Sequence, residues 1–164
     1  MIAIEQYLRT SYRPELDYVD GELLDRNGGL YDHSRTLGAF LFYLHELLNP
    51  RGAWALPTLR IRVSATRVRV PDVCVFLADP EEQVPTKPPF LCIEVLSRED
   101  RMSRIQEKVE DYLAMGVSYV WVVDPATKCA WTITRAEGWR EEKGGLLRTA
   151  NPDIEVPLSE IFSA

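Results

Sequence analysis

The chain has few of the residues that build covalent or metal frameworks: three cysteines and two histidines in 164 residues. Cys74, Cys92 and Cys129 are odd in number, sit inside strand-like runs and lack the close Cys or His spacing of a zinc site. They read as reduced core residues, without a disulfide frame or structural zinc. No apolar run approaches the length needed to span a bilayer. The opening MIAIEQYLRTSYRPE becomes charged too early for a secretory signal, so a cytoplasmic protein is expected. Positive charge is also short, with 19 Lys and Arg against 25 Asp and Glu and a formal net charge of -6. That balance argues against broad electrostatic wrapping of nucleic acid but permits a focused contact through a metal or a local basic patch. Zinc-finger, helix-turn-helix and basic-arm signatures for base reading are missing, as are internal repeats and linkers. What is present is an apolar fraction of 46%, enough for a sizeable core in one domain over residues 1–164.

Hydrophobic spacing gives the expected elements. Ile4, Tyr7 and Leu8 share a face of a short first helix, and Leu16 to Leu24 reads as a strand interrupted by Asp20-Gly21. Leu37, Phe40, Leu41, Leu44, Leu47 and Leu48 recur at intervals of three and four, which predicts a long amphipathic helix over 31–48, closed by Pro50 and Gly52. Strands are expected at 53–56, 59–63 and 67–77, then at 90–96 after a polar, proline-rich connection. Ser97 with Asp100 resembles a capping box and Gly116 suits a helix stop, so a helix is expected over 98–115, followed by a strand over 119–123. The tail alternates short strands and turns and closes on a short helix near Pro157 to Phe162. This order fits an α/β domain whose mixed central sheet is flanked by helices, with a crossover unit between Phe90 and Val123.

Two acids stand out against that pattern. Asp72, after Pro71, and Glu94, within Phe90-Leu-Cys-Ile-Glu-Val-Leu96, lie in runs that read as buried strands. A buried carboxylate costs stability unless a cation or a donor sits beside it, and a shared divalent metal would supply that cation. On the helical wheel Ile105, Val109, Tyr112 and Leu113 form the buried stripe, and Lys108 lies at its edge within reach of the pair. His33 is one turn before Leu37, on the core side of the long helix, and Glu22 could be turned inward from the strand before it. Each has a bland competitor: a turn aspartate, a structurally paired glutamate, a lysine that snorkels to water, a histidine bonded inside the fold, an acid of an ordinary turn. Arg60, Arg62, Arg67 and Arg69 alternate along paired strands and read first as a solvated sheet face.

These residues, in this order, resemble the Uma-type restriction endonucleases, a group within the PD-(D/E)XK nuclease superfamily. The resemblance covers nearly the whole chain. It runs through Tyr18-Val-Asp-Gly-Glu22, the His33 helix, Arg69-Val-Pro-Asp-Val73, Ile93-Glu-Val-Leu-Ser97, Lys108 with Tyr112, and Gly116-Val117 before Tyr119-Val-Trp-Val-Val-Asp-Pro125. It implies a restriction-endonuclease-like core in which Asp72 and Glu94 hold Mg2+ or Mn2+, with Glu22 as a further ligand or acting through water. It also implies that Lys108 assists hydrolysis of a DNA phosphodiester and that His33 orients phosphate or water. Cutting both strands of a duplex would call for two sites, which a homodimer would supply, although no segment shows a clear interface. Leu96 stands where the superfamily motif places its lysine, so Lys108 would be a replacement moved to the helix. Arg98 and Ser118 depart from the family pattern outside the proposed ligands. A catalytically silent module that binds nucleic acid or protein, and a self-associating structural subunit, remain open beside the enzyme.

Overall fold

The computed structural model describes residues 1–162. Its elements run α1 (Ile4–Arg9), β1 (Asp17–Val19), β2 (Glu22–Leu24), α2 (Tyr31–Leu48), β3 (Trp54–Pro57), β4 (Ile61–Ser64), β5 (Arg67–Arg69), β6 (Val73–Phe76), β7 (Leu91–Val95), α3 (Met102–Met115), β8 (Tyr119–Asp124), β9 (Cys129–Thr134), β10 (Gly138–Glu141), β11 (Leu146–Thr149), β12 (Ile154–Pro157) and α4 (Leu158–Ile161). The central sheet has six strands in the order β10-β9-β8-β7-β6-β3, and only β7 and β8, joined through α3, pair in parallel. A four-stranded antiparallel sheet, β2-β1-β5-β4, stands beside it, and β11 pairs with β12. This is the mixed α/β architecture expected from the sequence.

Strand alternation explains how both faces of the central sheet are covered. On β7, Leu91, Ile93 and Val95 pack with Phe40, Leu44 and Leu48 of α2, while Cys92 packs with Ile105, Val109 and Tyr112 of α3. All five β7 residues are buried. Glu94 therefore falls on the α3 side, in step with Cys92. α2 spans the predicted residues and turns its buried stripe of His33, Thr36, Phe40, Leu44 and Leu48 inward.

Two boundaries differ from expectation, and both shape the site. The run over 67–77 is not one strand but two, β5 and β6, in different sheets. Pro71 lacks the N–H that a continuous ladder needs, so the chain leaves one sheet and enters the other there. Asp72 thus sits at the junction between sheets, not in a strand centre. The helix expected from residue 98 begins instead at Met102, because Asp100 Oδ2 accepts the Ser97 N–H at 2.6 Å and stabilises a turn upstream of the helix. Gly116 does end α3, in the left-handed region at φ 107°. Cys74 and Cys92 are buried free thiols, and Cys129 is half-buried.

Candidate active site

Asp72 and Glu94 meet because of register. β6 and β7 pair antiparallel with Val73 opposite Ile93, and one further step brings Asp72 opposite Glu94 where the ladder ends. Both carboxylates are buried, at 3% exposure each. Asp72 Oδ2 accepts the Val95 N–H at 2.8 Å, which ties the junction to the end of β7, and Oδ1 accepts Arg26 Nη2 at 3.0 Å. His33 Nε2 lies 3.3 Å from Asp72 Oδ2, outside good hydrogen-bonding geometry. Glu94 Oε1 accepts the Tyr112 hydroxyl at 2.5 Å and lies 3.0 Å from Lys108 Nζ. Lys108 and Tyr112 are four apart on α3, so one helical face delivers both to the same oxygen.

A third buried acid completes the cluster. Asp17, at the start of β1, accepts the Val70 N–H at 2.9 Å through Oδ1, and its Oδ2 lies 3.2 Å from Arg69 Nη1 and 3.6 Å from Lys108 Nζ. Arg69 continues to Asp111 Oδ2 at 2.7 Å, and Arg67 bridges Asp20, Glu107 and Asp111. These two arginines form an ion-pair network and not the solvated face read from their alternation. Arg60 is likewise engaged, with Glu15, with the carbonyls of Tyr7 and Thr10, and against the Tyr7 ring.

Burial and charge set the protonation of the centre. Burial pushes the Glu94 carboxyl up to about 7; Lys108 draws it down and Asp72 drives it up again. Burial also opposes the charge of Asp72, but His33, Lys108 and Arg26 outweigh it and hold this carboxyl below its ordinary value. For Lys108 the desolvation is outweighed by Asp17, Glu94 and Asp72, so its ammonium titrates higher than usual. His33 also titrates upward, since Asp72 and Glu94 together overcome its burial. Two adjacent carboxyls are thus shifted in opposite directions beside a lysine held charged.

Four of the five residues singled out in the sequence, Asp72, Glu94, Lys108 and His33, are brought together. Glu22 is not. It is exposed at the start of β2 opposite Val19, while Asp17 pairs with Leu24 at the other end of the same hairpin. Paired residues share a face, so Glu22 and Asp17 lie on one side of the ribbon but two positions apart, about 7 Å along it. The inward acid is thus Asp17, which carried the same signal as Glu94: an acid inside an apolar run, Leu16-Asp-Tyr-Val19. Arg26 lies in an irregular segment after β2, where no periodicity could point to it.

A cavity of about 70 Å³ opens among these side chains, lined by Asp17, Arg26, Asp72, Glu94 and Lys108. It has room for a few waters. Among the described residues no group of three or more His, Cys, Asp or Glu is arranged to hold a metal ion. Asp72 and Glu94 alone still fit a hard, hydrated cation such as Mg2+, which is commonly held by one or two carboxylates and completed by water and substrate phosphate. The Arg26 guanidinium on Asp72 Oδ1 shows that this edge already accepts a cation.

The model of the Uma2 family, described as "Putative restriction endonuclease", matches residues 4–162. The chain belongs to the Uma2 family. A solved structure described as a putative nuclease belonging to DUF820, from Anabaena variabilis ATCC 29413, is similar at a TM-score of 0.86 and 18% identity, covering 99% of this chain and 98% of that one. At that identity the likeness shows a shared nuclease-like fold. No curated protein matches. In this Uma2 family member Glu94 stands near the end of β7, Asp72 at the junction just before β6, and Lys108 on α3.

Proposed function

We propose that this Uma2 protein is a metal-dependent endonuclease that hydrolyses DNA phosphodiester bonds at the Asp72, Glu94 and Lys108 centre. The observation that carries this reading is the convergence of two buried carboxylates and a buried lysine from the β5–β6 junction, β7 and α3, with Lys108 Nζ 3.0 Å from Glu94. Buried ions of this kind cost the fold desolvation energy that their pairing only partly returns. Arg26 Nε and His33 Nε2 are also buried without a hydrogen-bond partner, and both are donors suited to phosphate oxygens.

When bound, Mg2+ or Mn2+ would polarise the phosphate and make a coordinated water more acidic. Asp72 and Glu94 would hold it. Each is aimed by a neighbour: the Val95 N–H fixes Asp72, and the Tyr112 hydroxyl fixes Glu94. Glu94 must be ionised for this duty, which ties cation binding to loss of its proton. Lys108, kept charged by Asp17, acts as a donor that orients water and offsets charge growing on the phosphoryl oxygens. His33 donates to phosphate from the α2 side. Cutting both strands of a duplex would call for two such centres and hence two copies of the chain.

One observation favours the runner-up, a silent nuclease-fold module that binds nucleic acid or a partner protein. Both proposed ligands already meet cationic side chains, Arg26 on Asp72 and Lys108 on Glu94. Plasmid nicking with Mg2+ or Mn2+, run beside calorimetric titration of each cation, separates the two. Nicking by wild type, lost with cation binding in Asp72→Ala and Glu94→Ala, supports the enzyme. Nicking unaffected by both substitutions refutes the assigned centre, and DNA binding without cleavage under either cation supports the module.

A further inference from the structure

A second cavity lies directly beside the catalytic one. It measures about 240 Å³ and is enclosed by the first turn of α2 (Leu30 to His33), by Leu96 to Arg98 beyond β7, and by Asp124 to Ala126 at the end of β8. We propose that this cavity is a nucleoside subsite, taking one unstacked base of the strand being cut, with Tyr31 as the stacking face. The assignment rests on the nuclease reading and extends it to the form of the substrate: a strand with at least one unpaired nucleotide beside the scissile phosphate.

Three observations carry it. The two cavities are lined by consecutive residues of one segment. Val95 lines the catalytic cavity and Leu96 the second, while His33 lines the second and reaches Asp72 at 3.3 Å. Successive Cα atoms are about 3.8 Å apart, so a phosphate at Asp72 has its neighbouring nucleoside within reach of the second cavity. The lining is also of the kind a base needs. Tyr31 is 77% exposed and Leu30 is 52% exposed, an aromatic ring and an aliphatic side chain open to solvent, with Pro125 among the other lining residues. A ring presented in this way binds any base through its π face.

The third observation concerns polar groups. Leu30 provides no side-chain cap for the 18-residue α2, so its first-turn N–H groups are available to a ligand. His33, only 7% exposed, lines the same cavity with its Nε2 turned toward Asp72 at 3.3 Å. A bare phosphate is the poorer occupant, because Asp32 and Asp124 both line the cavity, His33 is turned to Asp72, and Arg98 is in an exposed pair with Asp32 at 3.7 Å. A base can use acceptors and donors together. The larger concavity around Arg135, Arg140 and Arg148 includes Tyr119, at the opposite end of β8 from Asp124, and is not continuous with the catalytic centre.

The test uses single-stranded oligonucleotides carrying 2-aminopurine, an intact duplex of the same sequence, and the variants Tyr31→Ala and Tyr31→Phe. Wild type and Tyr31→Phe should quench 2-aminopurine on binding and cleave the single strand in preference to the duplex. Tyr31→Ala should lose the quench and raise KM about tenfold with kcat little changed, as expected for loss of one base-aromatic stack. Equal quenching and equal KM in wild type and Tyr31→Ala overturn the subsite while leaving the nuclease reading intact. Quenching that depends on Tyr31 without any cleavage overturns the nuclease reading and retains the subsite. No binding of either substrate by wild type overturns both.

Discussion

Replacing Glu94 by Gln should change how the stability of this fold depends on pH, in a direction opposite to that of an ordinary ion-paired carboxylate. Burial raises the Glu94 carboxyl from 4.5 to about 7, with Lys108 only partly offsetting the desolvation and Asp72 adding to it. A carboxyl raised on folding binds its proton more tightly in the native state. Its contribution is therefore complete below the unfolded value and is lost as pH rises through the folded one. Asp72, held below its ordinary value, behaves the other way and loses its contribution as pH falls. Between about pH 5.5 and about pH 8.5 the Glu94 shift amounts to about 2 kcal/mol, from roughly 1.5 pH units at ~1.36 kcal/mol each. Gln keeps the size and can still accept from Tyr112, but it does not titrate. Urea unfolding of both proteins with a chelator present should show the variant gaining about 2 kcal/mol on wild type across that window. A difference that is constant with pH, or that moves in favour of wild type at high pH, would refute the account of Glu94 as a desolvated acid that its lysine only partly compensates.

Two further substitutions probe the cations around the pair. Arg26→Ala removes a guanidinium 3.0 Å from Asp72 Oδ1, so Mn2+ should bind at least about fivefold more tightly by calorimetry; unchanged or weaker binding would show that Arg26 does not compete for that edge. Asp17→Asn keeps an acceptor for the Val70 N–H but removes the first of the charges that raise Lys108. The alkaline limb of the kcat/KM profile should then move to lower pH, and an unmoved limb would mean that Asp17 has no electrostatic hold on the lysine.

The parts of the site that lie on regular elements were legible in the sequence. α2 and α3 have the 3.6-residue period that placed His33 and Lys108 toward the core, and β7 is so uniformly apolar that Glu94 stands out within it. Glu22 and Asp17 show where this kind of reading fails. Glu22 shares a face of the β1–β2 hairpin with Asp17, but only the register with β5 determines which end meets the central sheet. Arg26 needed the full path of an irregular loop, and Asp72 needed the break at Pro71. The Ser97 to Asp100 pattern is shared by a capping box and by a free-standing turn, and the structure uses it for the turn.

Lys108 reaches Glu94 from a helix, and this frees the residue two places after the acid on β7. That residue is Leu96, which keeps the alternation of Cys92 and Glu94, packs at the edge of the α3 core and forms part of the second cavity. A lysine at 96 would put a charged, flexible chain where this apolar wall stands. Supplying the cation from across the sheet face thus separates two duties that neighbouring strand residues would otherwise share: the strand end walls a cavity while the helix carries the charge that meets Glu94.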